Sequence, residues 1–596
     1  MEIREDLGPV RRRAVALLAI VFLLLGALHL RLVQLQIFEG AHWRRMAENN
    51  RLRRIPLASV RGRIYDRRGN VLADNHPTWN LLLFPDEAAR LDETILFIAS
   101  LGVADAAALH ERVAARGVDR LAPLVVAEDL DWSHVTRVRA HQSDHPELSV
   151  VAGFRRHYPF GPATAHAVGH LRLVSEGELR AAPGLDPTAR VGATGIEALA
   201  DTFLTGHAGE RWVVVSAVGR QLGVVRESPA AAGRDLSVTL DARLQRIAAD
   251  ALGERAGAVA AIDPDTGAVR VLYSAPSFDP ELFSGPLSPE DWDRIASDPR
   301  HPLQDRCLQG TYPPGSTIKP FLALAGLTED AVTPDWTVYC SGSVVLHGHP
   351  FRCWRRGGHG TTDLEHSLEA SCDVYYYQLG QRLGIDRMAR WLGLFGFGRT
   401  TGIGLPSEAA GLIGTPEWSR RVRGTPWYPG EAVSVSIGQG PVQATAIQLA
   451  RAYAALANGG RLVTPHVIVG DGGTQPFDLD LDPGHLARIN RGLEKVVHGE
   501  HGTARSLAAL PVAGKTGTAQ VARLVEGVDS DELAPHLQHH AWFVGWAPLD
   551  HPRLVVALVV EHGGGGGSIA APSAAVLFSA ALDHGADPTA PPPAGE

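Results

Sequence analysis

Sulfur is scarce in this chain: four cysteines and three methionines among 596 residues. Four cysteines cannot form the disulfide framework of a protein this long. They are also clustered, as Cys307, Cys340, Cys353 and Cys372, which points to one local site rather than scattered bridges. A basic field is missing too. The formal charge is -9, from 56 Lys and Arg against 65 Asp and Glu, which argues against a nucleic-acid binder. Long apolar runs are absent but for one, Ala14 to Leu30, which has 17 uncharged residues. That is the short end for a spanning helix, and Leu32 to Ile37 lengthens it while Arg31 can snorkel. No small-x-small cleavage pattern follows it, so an uncleaved single-pass anchor is expected. Arg11, Arg12 and Arg13 precede it, and the positive-inside rule then places residues 1–13 in the cytoplasm. The remainder is expected outside the inner membrane. A buried helix of a soluble protein is a weaker reading, because the segment is apolar on every face.

What is present is enough for more than one core. Residues 14–36 are read as the anchor and 37–235 as a mixed, punctuated first region. There, Arg61 to Asn75 reads as short strands around an Arg-Gly-Asn turn, and LDETILFIASLGV and AAALHERVAARGV read as helices. His157, His166 and His170 are read as packing or surface histidines rather than metal ligands. The texture changes at Ser237, and 236–583 is read as the second domain. A strand is followed by a helix capped by Asp241. Two apolar strands then flank a Pro-Asp-Thr-Gly turn. Helical segments are expected from Thr317 to about Gly398, and strands return at AWFVGWAP and RLVVALVVEH. Strands, then helices, then strands suggest one mixed sheet with helices packed on it, an α/β (α+β) fold. The tail, 584–596, is expected to be disordered.

Three short motifs carry chemistry. Ser316-Thr-Ile-Lys319 follows a Pro-Pro-Gly turn and opens a helix. Residues i and i+3 share a helix face, so the hydroxyl and the amine point into one space. A serine hydroxyl needs a base to become a nucleophile, and a desolvated lysine can serve. The helix start also offers free N–H groups to an oxyanion. Taken alone, the pattern is equally that of a capping serine and a solvated lysine. Ser371-Cys372-Asp373 follows in a helical region. Lys515-Thr516-Gly517-Thr518 sits on a strand where glycine lets a substrate backbone approach. Their order matches a trio used by β-lactamases and penicillin-binding proteins.

Cys340, Cys353, His359 and Cys372 have the spacing C-x12-C-x5-H-x12-C. Thiolate and imidazole are the ligands of structural zinc, so a closed Cys3His zinc site is expected. A disulfide, most simply Cys340 with Cys353, is the alternative. Cys307 is then left as a buried thiol.

At these motifs the sequence resembles the class B penicillin-binding proteins, and most closely the penicillin-binding protein 2 branch. The resemblance extends over nearly the whole chain through RGRIYDRRGNVLADN, YPFGPATAHAVGH, GATGIE, AIDPDTGAV, PPGSTIKP, SCDVYYYQLG and SIGQGPVQATAIQLA. It implies a transpeptidase domain of the penicillin-binding and serine β-lactamase type, with a five-stranded sheet flanked by helices, above an elongated pedestal. It also implies roles. Ser316 would attack a D-Ala-D-Ala stem peptide during cell elongation, and Lys319 would take its proton. Ser371, helped by Lys515, would relay a proton to the leaving D-Ala, with Asp373 orienting Lys319. Lys515 and Thr516 or Thr518 would hold the substrate carboxylate, and the N–H groups of Ser316 and Thr518 would form the oxyanion hole. Gly517 would admit the substrate backbone. β-Lactams would acylate Ser316. Some relatives carry zinc on mixed Asp, His and Cys ligands here, with Cys340 and Cys353 standing where those have Asp. The implied partner is a glycosyltransferase of the SEDS family. A septal transpeptidase of the same class is the nearest alternative, and Asp373 favours elongation. A β-lactamase needs a deacylating Glu that the sequence does not reveal. A β-lactam sensor needs more cytoplasmic chain than precedes the apolar run.

Overall fold

The computed structural model describes residues 8–39, 52–85, 88, 90–114, 123–181, 189–215, 221–470, 475–521 and 534–583. The expected disordered tail, 584–596, lies outside them, as do residues 1–7. The apolar run forms a helix, Gly8–Val33, continued by a π-helical turn, Gln34–Phe38. From Arg11 to Phe38 no part of its most apolar stretch is buried against protein, as a lipid-facing helix requires. Arg31 bends back to Gln34, its Nη1 donating to Oε1 at 2.8 Å. Among the described residues this is the one helix long and apolar enough to span a bilayer.

The remaining chain forms two contact units. The first takes residues 1–60, 77–154 and 207–232, and the second takes 61–76, 155–206 and 233–596. In the first, Leu52–Leu57, Gly209–Val215 and Gln221–Ser228 make a three-stranded antiparallel sheet. Helices Leu91–Ser100 and Trp132–Ala140 bury Ile95, Ile98, Val135 and Val138 against Leu81 and Leu83. Both helices match a 3.6-residue apolar period, which is what made the first one legible.

The second unit is built on a five-stranded sheet. Its strands are β1 (Gly257–Ile262), β2 (Val269–Ala275), β3 (Ala513–Ala519), β4 (His540–Ala547) and β5 (Leu554–Val560), in the order β2-β1-β5-β4-β3. Every pairing is antiparallel, so the sheet is not mixed as the sequence pattern suggested. The long insertion between β2 and β3 carries the chain from one edge of the sheet to the other, and the two edge strands run in the same direction. Helices cover both faces: α1 (Ala242–Leu252) and α6 (Ala571–Leu582) on one, and α4 (Ala446–Ala457) on the other. Between them lie α2 (Lys319–Thr328), α3 (Asp373–Leu394) and α5 (Pro483–His498). Asp241 caps α1, its side chain accepting from Leu244 N–H. The expected helical stretch from Thr317 to Gly398 is interrupted. Short strands Val338–Cys340, Ser343–Leu346, His349–Arg352 and Gly360–Thr362 form two nested hairpins within it. Three- and four-residue strands with polar turns carry too little periodicity to be read from sequence.

His166 and His170 are packing residues. His166 lies against Phe278 and is bonded to the Pro302 carbonyl at 2.9 Å, and His170 lies between Phe278 and Phe283. His157 pairs with Glu281 and stacks on His76.

Candidate active site

Gly315–Ile318 is a 3-10 turn, not the first turn of an α-helix, and it runs directly into α2. In a 3-10 turn residues i and i+3 eclipse, which aligns Ser316 and Lys319 more closely than an α-helix would. Three contacts fix the turn. Trp542 Nε1 donates to the Pro313 carbonyl at 3.1 Å, Thr317 Oγ1 to the Pro314 carbonyl at 2.7 Å, and Tyr453 hydroxyl to the Thr317 carbonyl at 2.7 Å. Just upstream, Tyr312 hydroxyl and Arg306 Nε both donate to Glu561 Oε1, at 2.6 and 3.0 Å.

Lys319 is fully buried, while Ser316 is half-buried. Lys319 Nζ has three hydrogen-bond partners: the Ser371 carbonyl at 3.0 Å, Ser371 Oγ at 3.3 Å and Asp373 Oδ1 at 2.7 Å. Ser316 Oγ is not among its partners. The ammonium also stands 5.2 Å from the Tyr376 ring centre. Burial pushes the Asp373 carboxyl up, against the opposing pull of the Lys319 charge, and the net direction is upward. Ser371 lies in the turn between a short helix, Leu364–Glu369, and α3, rather than inside a helix. Its φ is 54°, left-handed space that a residue with a Cβ rarely adopts. Cys372 is the N-cap of α3 and Asp373 its first residue.

Strand β3 is the edge of the sheet and carries Lys515, Thr516, Gly517 and Thr518. Lys515 is fully buried, and its Nζ donates to the Thr516 carbonyl at 3.3 Å. Burial, then the positive charge of Lys319, holds Lys515 well below the ordinary lysine range. Gly517 has no room for a side chain: a Cβ there would lie 2.8 Å from Thr317 Cγ2 and 3.0 Å from the Pro314 carbonyl. Thr516 hydroxyl is bonded to Thr503 hydroxyl at 2.6 Å, whereas Thr518 is exposed. Thr503 was not visible as a site residue in the sequence. Nor was the glycine run 563–567, where a Cβ on Gly566 would collide with the carbonyls of Gly517 and Trp542. A run of glycines just after a buried strand is a signal of close backbone approach.

Behind Ser371, the nested hairpins bring Cys340, Cys353, His359 and Cys372 together, with one ligand atom of each within 4.8 Å of every other. His359 Nδ1 faces Cys340 Sγ and Cys353 Sγ, both at 3.6 Å. A tetrahedral ion with bonds of about 2.3 Å to sulfur and about 2.0 Å to nitrogen requires a sulfur–nitrogen spacing of about 3.5 Å, close to that seen. The donor set therefore fits a four-coordinate metal. No cysteine is in a disulfide, and all four are buried. Cys353 is drawn below the ordinary thiol range, first by the hydrogen bond from Cys372, whose own thiol is pushed up in turn. The hairpins are stitched to α3: Asp373 N–H donates to Cys353 Sγ at 3.4 Å and Trp354 N–H to Asp373 Oδ2 at 3.0 Å. Cys307 stands apart, donating to the carbonyls of Val259 and Tyr273.

Two family models match the chain: the penicillin binding protein transpeptidase domain over residues 257–579, and the penicillin-binding protein dimerisation domain over 56–238. Among curated proteins, the peptidoglycan D,D-transpeptidase MrdA of Haemophilus influenzae is 36% identical, over 93% of this chain and 88% of its own. MrdA of Escherichia coli K12 is 34% identical, over 96% and 94%. Among solved structures, Pseudomonas aeruginosa PBP2 in complex with WCK 5153 aligns with a TM-score of 0.67 at 33% identity, covering 89% of this chain and 97% of that one. PBP2 from a complex with MreC of Helicobacter pylori aligns with a TM-score of 0.78 at 25% identity, covering 90% and 99%. With the Ser316 turn, the Ser371 turn and the β3 edge arranged around one buried lysine pair, and with the transpeptidase model spanning more than half of the chain, the protein belongs to the class B penicillin-binding proteins, on the penicillin-binding protein 2 branch.

Proposed function

We propose that the chain is a peptidoglycan D,D-transpeptidase of cell elongation. The observation that carries this is Lys319: buried, one 3-10 turn after Ser316, and bonded to both Ser371 Oγ and Asp373 beside a second buried lysine, Lys515. In this reading Ser316 Oγ attacks the carbonyl of the penultimate D-Ala. Lys319 Nζ acts as the base that takes the hydroxyl proton, and Asp373 orients it. The N–H groups of Ser316 and Thr518 receive the negative charge on the carbonyl oxygen. The tetrahedral intermediate then breaks its C–N bond. Ser371 delivers a proton to the leaving D-Ala and is resupplied by the lysines. Its hydroxyl already lies 3.3 Å from Lys319 Nζ. An amine of a second stem peptide then attacks the ester, forms the new amide and returns Ser316 to its hydroxyl form. The depressed proton affinity of Lys515 favours an amine that can pass protons on. The exposed Thr518 hydroxyl is better placed for a substrate carboxylate than Thr516, which is engaged by Thr503.

Zinc is the proposed occupant of the Cys340, Cys353, His359 and Cys372 cluster. It would be a closed structural site supplying rigidity, not chemistry. The anchor is proposed to hold residues 14–36 in the inner membrane, with 1–13 cytoplasmic, 37–235 as pedestal and 236–583 periplasmic and catalytic. A SEDS-type glycosyltransferase is the proposed partner. One solved structure that aligns at 30% identity bears the description "structural coordination of polymerization and crosslinking by a peptidoglycan synthase complex".

The test is acylation. Incubation with a penicillin should add one adduct mass, mapped to the peptide holding Ser316, and Ser316→Ala should abolish it. An adduct that persists in the variant would remove Ser316 from its role.

A further inference from the structure

The oxyanion hole proposed above takes one N–H from the nucleophile turn and the other from β3. These belong to different elements, and their separation must be held to a fraction of an ångström. The structure shows what spans them. Gly315, the residue before the nucleophile, donates its N–H to the Gly438 carbonyl at 2.9 Å. The next residue, Gln439, reaches the end of β3 with both ends of its amide. Its Nε2 donates to the Thr518 carbonyl at 3.1 Å, and its Oε1 accepts from Gln520 N–H at 3.3 Å. A carbonyl and the N–H two residues on are the pair that a neighbouring parallel strand would engage. The side chain thus takes the place of one strand residue at the exposed edge of the sheet.

The backbone at this bridge is closely fitted. A Cβ on Gly315 would stand 2.9 Å from the Thr518 carbonyl oxygen and 3.3 Å from Thr518 N, and one on Gly438 would collide with the Gly315 carbonyl. Gly315 and Gly438 have φ of 55° and 73°, so both positions suit glycine on two counts. Three peptide units, at 315, 438 and 518, therefore meet with no side chain between them.

We infer that Gln439 is a positioning residue for acyl transfer: the Gly438–Gln439 dipeptide ties the nucleophile turn to β3 and sets the spacing of the two oxyanion donors. The inference rests on the transpeptidase reading and deepens it. Gln439 itself reaches no reacting atom. It holds Thr518, whose N–H would face the developing charge, through the carbonyl on the other side of that residue's Cα. Loss of the clamp lets the strand end drift and weakens stabilisation of the tetrahedral intermediate, while recognition of the unreacted ligand changes little.

The experiment uses the full chain in detergent and a fluorescent penicillin, with acylation rates measured across ligand concentration. Gln439→Leu removes both bonds at similar volume. We expect its maximal acylation rate to fall about tenfold or more, against the 10²- to 10³-fold typical of deleting one oxyanion donor outright. The half-saturating concentration should stay within about twofold, and so should the melting temperature within a few degrees. Gln439→Glu adds a readout that simple packing would not move. As a carboxylate it accepts from Gln520 N–H but cannot donate to the Thr518 carbonyl, and when protonated it regains a donor. Its acylation rate relative to Gln439→Leu should therefore rise as pH falls towards the carboxyl range. Three results would overturn the inference: a wild-type maximal rate in Gln439→Leu, a loss confined to the half-saturating concentration, or a pH-independent ratio between the variants. If Gln439→Leu melts far below wild type, the ratio for Gln439→Glu decides alone. Failure of wild type itself to acylate at Ser316 would instead reject the transpeptidase reading.

Discussion

Ser371 holds its backbone at φ 54° while its carbonyl and hydroxyl both accept from Lys319. A residue with a Cβ gives up about 1 kcal/mol or more in that conformation, and glycine does not. Two substitutions separate the strain from the chemistry. Ser371→Ala and Ser371→Gly both delete the hydroxyl, and both should lower penicillin acylation about 100-fold or more. The glycine variant should nevertheless melt higher than the alanine variant, by the equivalent of about 1 kcal/mol. Equal melting temperatures would mean that the turn carries no such strain. Full acylation in either variant would remove the hydroxyl from proton relay. At this scale the sequence was legible for what single residues could do and silent on what they touch. Ser316, Lys319 and Lys515 stand in local patterns whose residue types imply their chemistry. Thr503 and Gln439 do not, because their partners Thr516 and Thr518 lie 13 and 79 residues away. Nor does Ser-x-x-Lys reveal that Lys319 directs its donors at Ser371 and Asp373 rather than at Ser316.

Between β2 and β3 the decisive element is the double hairpin from Val338 to Thr362. It contributes Cys340, Cys353 and His359 and meets α3 at Cys372, one residue from each of Ser371 and Asp373. Its strands are too short and too exposed to form a core of their own. A metal would supply the missing stability by closing the loop onto the helix. Purified protein should therefore contain about one zinc per chain, as expected of a closed four-ligand site. A strong chelator should lower the melting temperature, and zinc should restore it. Cys340→Ser should lose most of the metal. Metal-free protein with two fewer free thiols than cysteines would show a disulfide instead. The strands β1 and β2 were legible because two apolar runs flank a turn in which Asp263 accepts from Asp265 and Thr266 N–H. The hairpin arm was not legible as structure, although its ligand spacing was. Cysteine and histidine identities survive in a sequence where strand periodicity of three or four residues does not.

Among the described residues the molecule comprises one helix long and apolar enough to span a bilayer, a first unit of small elements and a second unit on an antiparallel sheet. Stability of the catalytic unit should depend on pH in a definite direction. Burial holds His166, His170 and His540 at about 4, below the ordinary histidine range near 6.5. The unfolded chain then binds more protons than the folded one between those values, so stability is lost as pH falls from about 6.5 towards 4. Asp305, pushed up to about 6 by burial, opposes this over part of the same window and offsets about one of the three. Melting temperature should therefore drop from pH 7 to 4.5, and less steeply in His166→Gln. A rise on acidification would contradict this balance. The most direct measurement of the central claim is cross-linking itself. Full-length protein, supplied with nascent glycan bearing pentapeptide stems, should release D-Ala and yield dimeric muropeptides. Ser316→Ala should yield neither. Dimers formed by Ser316→Ala, or a wild type that is acylated by penicillin yet forms no dimers, would contradict the account.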